Sequence, residues 1–404
     1  MLATVAWRNV WRNKIRSLVV ILSIAMGLWA GIFIMSFSWG MHEKHIREAI
    51  QGQLSHIQLH HPSFKENKDI RYIVPESDAI INEIKKDESV LKVAGRMTVV
   101  GMMSSTTAGS GVNITGVNAN TEDEITHLSE RVVDGTYFED VKRNPILIGA
   151  KLADKLKLKV KSKVVLTFQD KNRDITAGSF RVVGIYKSNN TTFDEMYIYA
   201  DIEDINRLLG YDKTFNEIAV LLNEKADLEG MAAQLHAAYP ELLVETWKDL
   251  APELELIIES FSQFMYIFII IILLGLAFGI VNTMLMAVLE RTRELGMLMA
   301  IGMNKARIFF MIMLETVYLA IVGGPLGMLL AFVTVKYTGH TGIDLSMFSE
   351  GLASFGMATI VHPKLGAGYY FEVAFMAIMA ALLSSIYPAR KALKLNPSEA
   401  IRKI

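Results

Sequence analysis

The sequence predicts an α-helical membrane protein with four transmembrane helices and a large extracytoplasmic α+β domain between the first and second helix. The first observation is four long apolar runs of 25 to 30 residues, which hold no charge apart from Glu315 and Glu372. A bilayer core needs about 20 apolar residues per helical span, so each run is long enough to cross. The second observation is a stretch of more than 200 residues after the first run with the composition of a soluble α+β domain.

Charge is divided along the chain in the same way. Residues 43–259 contain 26 Lys and Arg against 35 Asp and Glu, whereas the remainder contains 15 against 7. The three segments expected on one side of the membrane carry 4, 4 and 5 basic residues, and the loop between the last two spans carries only Lys336 and Lys364. By the positive-inside rule, both termini and the connector between spans two and three are predicted to be cytoplasmic, and the acidic domain extracytoplasmic.

These observations divide the chain into nine predicted segments. They are an amphipathic helix on the cytoplasmic face (1–16), transmembrane helix 1 (17–41), the extracytoplasmic domain (42–259), transmembrane helix 2 (260–289), a cytoplasmic connector (290–307), transmembrane helix 3 (308–335), an extracytoplasmic loop (336–364), transmembrane helix 4 (365–389) and a cytoplasmic tail (390–404).

The first segment has four basic residues and no acidic one. Trp7 and Trp11 are spaced i, i+4, with Val5, Val10 and Ile15 available to a similar face, which predicts a helix on the membrane surface. The apolar run that follows is longer than the 7–15 residues typical of a signal peptide and has no A-x-A-like site after it. We therefore expect it to be retained as a span.

The extracytoplasmic domain mixes helical and strand patterns. The predictions are a helix at 42–53, a strand at 54–62, a helix at 77–86, strands within 90–117, a helix at 146–156, a strand at 160–168, then two strands, an exposed turn at 189–192 and a helix within 180–210, and a helical stalk at 246–259. His45, His56, His60 and His61 suggest a metal site, but His56 and His60 would lie about 13 Å apart along a strand. His60 and His61 would point to opposite faces. A metal site is therefore not expected.

The connector has a pattern of its own. Charged residues fill its first turns, and Leu295, Leu298 and Met299 then recur at the i, i+3, i+4 spacing of an amphipathic helix. Gly302 is a predicted helix stop and Asn304 a predicted N-cap for the next span. The pattern alone is equally typical of an interfacial helix that only joins two spans.

Two motifs extend this interpretation. ERTRELGMLMAIGMNKARIFFMIMLE, which begins at Glu290, resembles the signature of the FtsX/MacB/LolC–LolE-type (type VII) ABC transporter permeases, and the ending YPARKALKLNPSEAIRKI resembles theirs. In the ending, Asn396 can cap a last helix with Pro397 at N1 and Glu399 at N3. The resemblance implies that the connector is a coupling helix that binds a separate ATPase dimer. The residues expected to couple to the ATPase are Glu290, Arg291, Arg293, Glu294, Gly296, Ala300 and Gly302.

The sequence predicts no catalytic or nucleotide-binding site in this chain. There are no cysteines, no P-loop motif for nucleotide phosphates, and no H-E-x-x-H or G-x-S-x-G motif. We expect no cofactor in this chain, ATP and Mg²⁺ bound by the partner ATPase, and no nucleic-acid partner. Glu315 lies within a span, where a carboxylate costs roughly 2.5–3.5 kcal/mol, so it is expected to face protein or water. It is either a helix-start carboxylate near the interface or a hydrogen-bonding partner at a coupling-helix or permease–permease contact.

Among such permeases, the large domain after span one and the stretch HIQLHHPSF most resemble the lipoprotein-releasing type of the bacterial inner membrane. The resemblance implies mechanotransmission: ATP hydrolysis reshapes the periplasmic domain, with a second permease, identical or homologous, and a lipoprotein or a periplasmic protein as partners. The alternatives are an efflux permease for drugs or peptides with an adaptor and an outer-membrane channel, a regulator of a cell-wall hydrolase, and a membrane-anchored enzyme.

Overall fold

The computed structural model describes residues 2–106, 108–139, 144–223, 226–354 and 357–393. They form two compact units. The membrane unit contains the described residues up to His42, Ile258–Asp344 and the described residues from Ile360 onward, and the sheet domain contains Glu43–Ile257 and Leu345–Thr359. The tail residues Asn396, Pro397 and Glu399, for which a capped helix is predicted, lie outside the described residues.

The elements follow one another along the chain in three groups. The first is α1 (Leu2–Arg12), α2 (Lys14–Ala49) and a π-helix (Ile50–Leu54). The second is β1 (Ile57–His60), α3 (Phe64–Asn67), α4 (Ser77–Ile84), β2 (Val90–Ser104), β3 (Gly109–Val117), α5 (Ala119–Thr126), a 3₁₀ turn (Leu128–Arg131), β4 (Val132–Gly135), β5 (Pro145–Gly149), α6 (Ala150–Leu156), β6 (Lys163–Gln169), β7 (Ile175–Tyr186), α7 (Thr191–Met196), β8 (Tyr197–Asp201), α8 (Ile202–Leu209), β9 (Glu217–Leu222), α9 (Leu228–Ala238), β10 (Leu243–Thr246) and α10 (Trp247–Leu250). The third is α11 (Pro252–Glu290), α12 (Thr292–Ala300), α13 (Lys305–Thr341), β11 (Ile343–Asp344), a 3₁₀ turn (Ser346–Phe348), α14 (Ser349–Ser354), β12 (Ile360–Val361) and α15 (Ala367–Leu393).

Four helices among the described residues are long and apolar enough to cross a membrane. They are Lys14–Gly52, Gln263–Glu290, Lys305–Thr341 and Ala367–Leu393. Their shared core is a single apolar cluster that draws on α1, α2, α11, α12, α13 and α15. The predicted fold class, four spans with an α+β domain after the first, is confirmed.

Two glycines bring α13 close to α2. A Cβ on Gly323 would lie 2.9 Å from the carbonyl oxygen of Ile21, and a Cβ on Gly327 would lie 2.6 Å from that of Ala25. The two glycines are four residues apart, so they share one face of α13 and allow the backbones to approach. This is the small-xxx-small packing that helices in lipid use, where hydrophobic burial does not drive association.

The sheet domain is built on one ten-stranded mixed sheet. Nine strands are ordered β10-β1-β9-β2-β3-β8-β5-β7-β4, and β6 pairs with β2 and β7. The β3–β8 and β5–β7 pairs are parallel and the others antiparallel. Two apolar clusters lie along this sheet, and their strand residues alternate with polar ones. The face that carries these clusters is apolar. The opposite face is polar on β1, β9 and β2 but carries a third apolar cluster at β5 and β8, which includes Leu147 and Tyr199.

Three local predictions in this domain are corrected. Residues 146–148 form β5 and not the start of a helix; Ile146, Leu147 and Ile148 are fully buried because β5 lies between β7 and β8, where a strand is a continuous apolar run. The exposed turn predicted at 189–192 ends at Asn190, because Asn190 caps a short helix, α7, that begins at Thr191. The predicted stalk is interrupted at Ala251, because the rigid ring of Pro252 begins a new helix, α11.

Candidate coupling site

The connector between α11 and α13 contains one short helix. α11 ends at Glu290 and α12 covers Thr292–Ala300. Gly302 has φ +93°, a left-handed conformation that stops the helix at little cost only in glycine. The side chain of Asn304 accepts a hydrogen bond from the backbone nitrogen of Ala306 at 3.1 Å and so caps α13. The helix stop and the N-cap are thus where the sequence predicted them.

Two ion pairs join this connector to the N-terminal part of the chain. Arg12, the last residue of α1, lies 2.7 Å from the Glu294 carboxylate, with both side chains about half exposed. Arg16, near the start of α2, pairs with Glu290. The first pair links α1 to α12 and the second links α2 to the end of α11, although ion pairs that are partly exposed stabilise little singly.

Glu315 lies at the centre of a more buried polar cluster. It is 7% exposed and accepts hydrogen bonds from the Asn9 side chain at 2.8 Å and from the Arg291 guanidinium at 3.2 and 3.4 Å. Arg291 also donates to the backbone oxygen of Asn9 at 3.0 Å. One carboxylate therefore links α1, the connector and α13. Within the connector, the hydrogen-bonding partner of Glu315 is Arg291.

The face of α1 that packs inward carries small side chains. Ala6 and Val10 are buried in the membrane core, whereas Trp7 and Trp11 are each 43% exposed. The ring of Trp7 meets that of Tyr318 edge-on with centroids 5.3 Å apart. Small side chains face inward because α1 packs closely on α13, and the indoles remain at the periphery of that contact.

The residues of the connector divide between a side packed against the membrane core and an exposed side, and the predicted ATPase-coupling residues occur on both. Leu295 and Gly296 are buried, and Leu298 and Met299 pack partly against the membrane core. Arg293, Ala300 and Gly302 are exposed. No atom lies within 4 Å of a Cβ built on Gly302, so its small size serves the backbone turn and not a close contact within this chain.

The exposed face also contains residues that the sequence analysis did not select. Met297 is 43% exposed and Ile301 is 85% exposed. With Arg293 they are spaced i, i+4, i+8, so they form one stripe along the connector. That spacing was visible in the sequence. Asn9, Arg12 and Arg16 were also missed as contributors to the site, because their partners lie some 280 residues away.

The histidines considered as metal ligands have other contacts. His56 Nδ1 accepts a hydrogen bond from the Leu222 backbone at 3.0 Å, and burial lowers its pKa. His60 lies 3.0 Å from the Gln58 amide oxygen, and His61 Nδ1 accepts from the backbone of Ser63. Within the described residues, no group of three or more His, Cys, Asp or Glu side chains could hold a metal ion.

Comparison with known proteins identifies the class. Residues 17–238 match the family model described as MacB-like periplasmic core domain, and residues 266–397 match the one described as FtsX-like permease C-terminal. The protein is thus a transmembrane permease component of an ABC transporter, and its sheet domain is extracytoplasmic. The chain belongs to the MacB/FtsX/LolC family of ABC transporter permeases. The resemblance given by the connector and tail motifs is confirmed.

Relatives in this family match along the whole chain at low identity. The ABC transporter permease MJ1507 of Methanocaldococcus jannaschii is 25% identical over 99% of this chain and 97% of its own length. The lipoprotein-releasing system transmembrane protein LolC of Neisseria meningitidis is 22% identical over 97% of this chain and 95% of its length. The macrolide export ATP-binding/permease protein MacB of Agrobacterium fabrum is 23% identical over 98% of this chain, but only 59% of its length is matched.

Proposed function

We propose that this chain is a permease subunit that converts ATP hydrolysis by a separate ATPase dimer into motion of its periplasmic sheet domain. The observation that carries the proposal is the two-sided connector. One side is bonded to α1, α2 and α13 through Glu294, Glu290 and Arg291, respectively. The other side presents Arg293, Met297 and Ile301 to a partner. An exposed apolar pair beside a cation is typical of a docking surface for another protein.

The contacts of the connector explain how motion would be passed on. A force on α12 acts directly on α1 and α13, because the Glu315 cluster links all three. α2 and α11 are each a single helix that contains both membrane-unit and sheet-domain residues. In the proposed mechanism, rotation or tilt of these helices carries the motion into the sheet domain.

We further propose that the cargo is a lipoprotein, released from the inner membrane. Support comes from LolC, named as a transmembrane protein of a lipoprotein-releasing system, which matches this chain over nearly its full length. In this proposal both termini and the connector are cytoplasmic, the membrane is the bacterial inner membrane, and a second permease, identical or homologous, completes the assembly. Lipids contact the exposed apolar faces of the spans, and the ATP and Mg²⁺ are bound by the partner ATPase.

The docking surface can be tested with two substitutions on it. Arg293→Glu reverses the exposed cation, and Ala300→Trp places a bulky ring beside Ile301. Both should reduce copurification of the ATPase with the solubilised permease and lower the rate of ATP hydrolysis. Ala300→Trp overfills the contact, and Arg293→Glu replaces an attractive charge by a repulsive one. The matched controls are Lys163→Glu and Ala237→Trp, which are equally exposed but lie in the sheet domain. Wild-type binding and rate in both connector variants would contradict the proposal.

The cargo is tested separately, in proteoliposomes that contain the permease, its copurified ATPase and a triacylated lipoprotein. ATP should release the lipoprotein from the vesicles, and a non-hydrolysable analogue should not. ATP-dependent transfer of an amphipathic drug without lipoprotein release would favour efflux. ATP-dependent activation of a cell-wall hydrolase with neither transfer would favour the regulator. Either result would replace the lipoprotein proposal and leave the docking proposal standing.

A further inference from the structure

The central strands of the sheet domain carry polar side chains on one face. Two rows run across the strands at matched register, His60–Glu217–Arg96 and Thr98–Thr115–Tyr199. The intervening residues, such as Met97 and Ile114, are fully buried in the apolar cluster of the opposite face. Alternation of this kind normally indicates a face in contact with solvent. Here most of the polar residues are buried as well.

A cavity of about 260 Å³ lies on this polar face. Its wall includes Leu54, Phe64 and Leu250 beside the polar residues of the sheet. Arg96 is 4% exposed and Glu245 is 5% exposed. Burying charged and polar groups costs free energy unless each is bonded, so a fold has little reason to enclose so many for stability alone.

The charges in this cavity compensate one another. Three basic and three acidic side chains line it: Lys65, Lys68, Arg96, Glu217, Glu245 and Asp249. Arg96 donates to Glu217 at 2.8 Å and also to Glu122, which does not line the cavity, at 2.8 and 2.9 Å. Lys65 pairs with Glu245. Apart from Lys68, the ionic groups that a ligand meets here already have partners among the described residues, so most of the charge in the cavity is compensated.

Three other side chains on the cavity floor keep free hydrogen-bonding capacity. Thr98, Asn113 and Thr115 lie on the neighbouring strands β2 and β3, and their side chains make no hydrogen bond within the described part of the chain. Tyr197 and Tyr199 on β8 stand directly beside Asn113 and Thr115. Two hydroxyls, an amide and two aromatic rings thus converge on one small space.

We infer that this cavity is a binding site for a neutral, hydroxyl-rich ligand, namely one or two sugar units. Hydroxyls and amides of the floor match sugar hydroxyls, the rings offer apolar surface to the faces of a pyranose, and the volume suits a small ligand. A peptide recognised through its backbone needs an exposed sheet edge, whereas the strands of the floor, β2, β3 and β8, are internal. The inference extends beyond the proposed energy coupling and does not depend on it.

The test uses the full chain in lipid nanodiscs prepared without glycoside detergents, which would compete for the site. The probes are N,N′-diacetylchitobiose and maltose, followed by saturation-transfer NMR and titration calorimetry. At least one should bind saturably. The double substitution Thr98→Val/Thr115→Val keeps the shape of both side chains, removes both hydroxyls and should weaken binding about tenfold. Asn113→Asp, which adds an unpaired charge of equal volume, should weaken it as well.

The control is Thr167→Val on β6, a strand position outside the cavity, which should bind like the wild type. Thermal unfolding of each variant establishes that the fold is retained. Absence of saturable binding of both disaccharides to the wild-type protein would overturn the inference. Undiminished binding by both floor variants would also overturn it, as would binding of N-acetyl-trialanine amide in place of the sugars. None of these results would bear on ATPase docking.

Discussion

Glu315→Gln removes a charge from the cluster that joins α1, the connector and α13 while it keeps the shape of the side chain. The glutamine oxygen can still accept from Asn9, so that 2.8 Å hydrogen bond is expected to persist. Arg291 keeps its bond to the Asn9 backbone oxygen but loses its counterion. The perturbation is therefore a partly buried guanidinium without a carboxylate.

The size of the effect follows from burial. Removing one partner of a buried ion pair costs about 3–5 kcal/mol. The Arg291 and Glu315 side chains are 13% and 10% exposed and the pair is 3.2 Å long, which puts this pair at the lower end. We expect Glu315→Gln to reduce the free energy of unfolding by about 3 kcal/mol. The double substitution Arg291→Met/Glu315→Gln should recover most of that loss, because no uncompensated charge remains.

The measurement is unfolding of the purified protein in mixed micelles, together with stimulation of the ATPase. The matched control is Glu294→Gln, which breaks the exposed pair with Arg12 and should cost no more than about 1 kcal/mol. ATPase stimulation should fall more in Glu315→Gln than in Glu294→Gln. If the two single variants lose equal stability, or if the double variant is no better than Glu315→Gln, the cluster does not behave as a buried ion pair and the argument for its linking role fails.

Three further predictions follow from other parts of the structure. Burial raises the pKa of Asp194 to about 6, so its ionisation opposes folding. This penalty is absent below about pH 4 and complete above about pH 6. Thermal unfolding should show that Asp194→Asn gains about 2–3 kcal/mol of stability relative to wild type as the pH rises through that interval, and a constant difference would refute the prediction. Gly327→Ala should destabilise the membrane unit by about 2 kcal/mol, because the added methyl meets the Ala25 backbone. The control Gly324→Ala should not, because its methyl meets nothing within 4 Å. Equal unfolding midpoints for the two variants would contradict the close packing of α13 on α2. In this cysteine-free chain, Asn172→Cys should react with an impermeant thiol reagent in intact spheroplasts and Lys305→Cys only after permeabilisation, and equal labelling would disprove the topology.

Local signals in the sequence accounted for much of the architecture. Uncharged runs located the four spans, and the strand before Pro62 and the helix after Ser77 appear as β1 and α4. Gly302 and Asn304 are also where a helix stop and an N-cap were expected. These features depend on backbone conformation or on solvent contrast within a few residues, so a short window of sequence contains what is needed to predict them.

Features that depend on distant parts of the chain were missed or incomplete. Glu315 was expected to avoid lipid, but nothing near it in sequence identifies Asn9 as a partner, 306 residues away. The sequence predicts the start of a helix where β5 lies, because a short buried apolar run has the same composition in either structure. Thr98, Asn113 and Thr115 alternate with apolar residues as in any strand with a solvated face, and only the assembled sheet shows that they line a cavity.

The bond between Asn9 and Glu315 also constrains the order of assembly. α1 is synthesised first, yet the side chain that it must bond to is made 306 residues later. At roughly 5–20 residues per second, this interval is about 15–60 s. During that time the exposed indoles of Trp7 and Trp11 can hold α1 at the lipid headgroups, where tryptophan is favoured. Synthesis of α13 therefore completes the polar contacts of α1, after the contacts with Arg291 and Glu294 have become available, and a chain truncated before residue 315 lacks the carboxylate that joins Asn9 to Arg291.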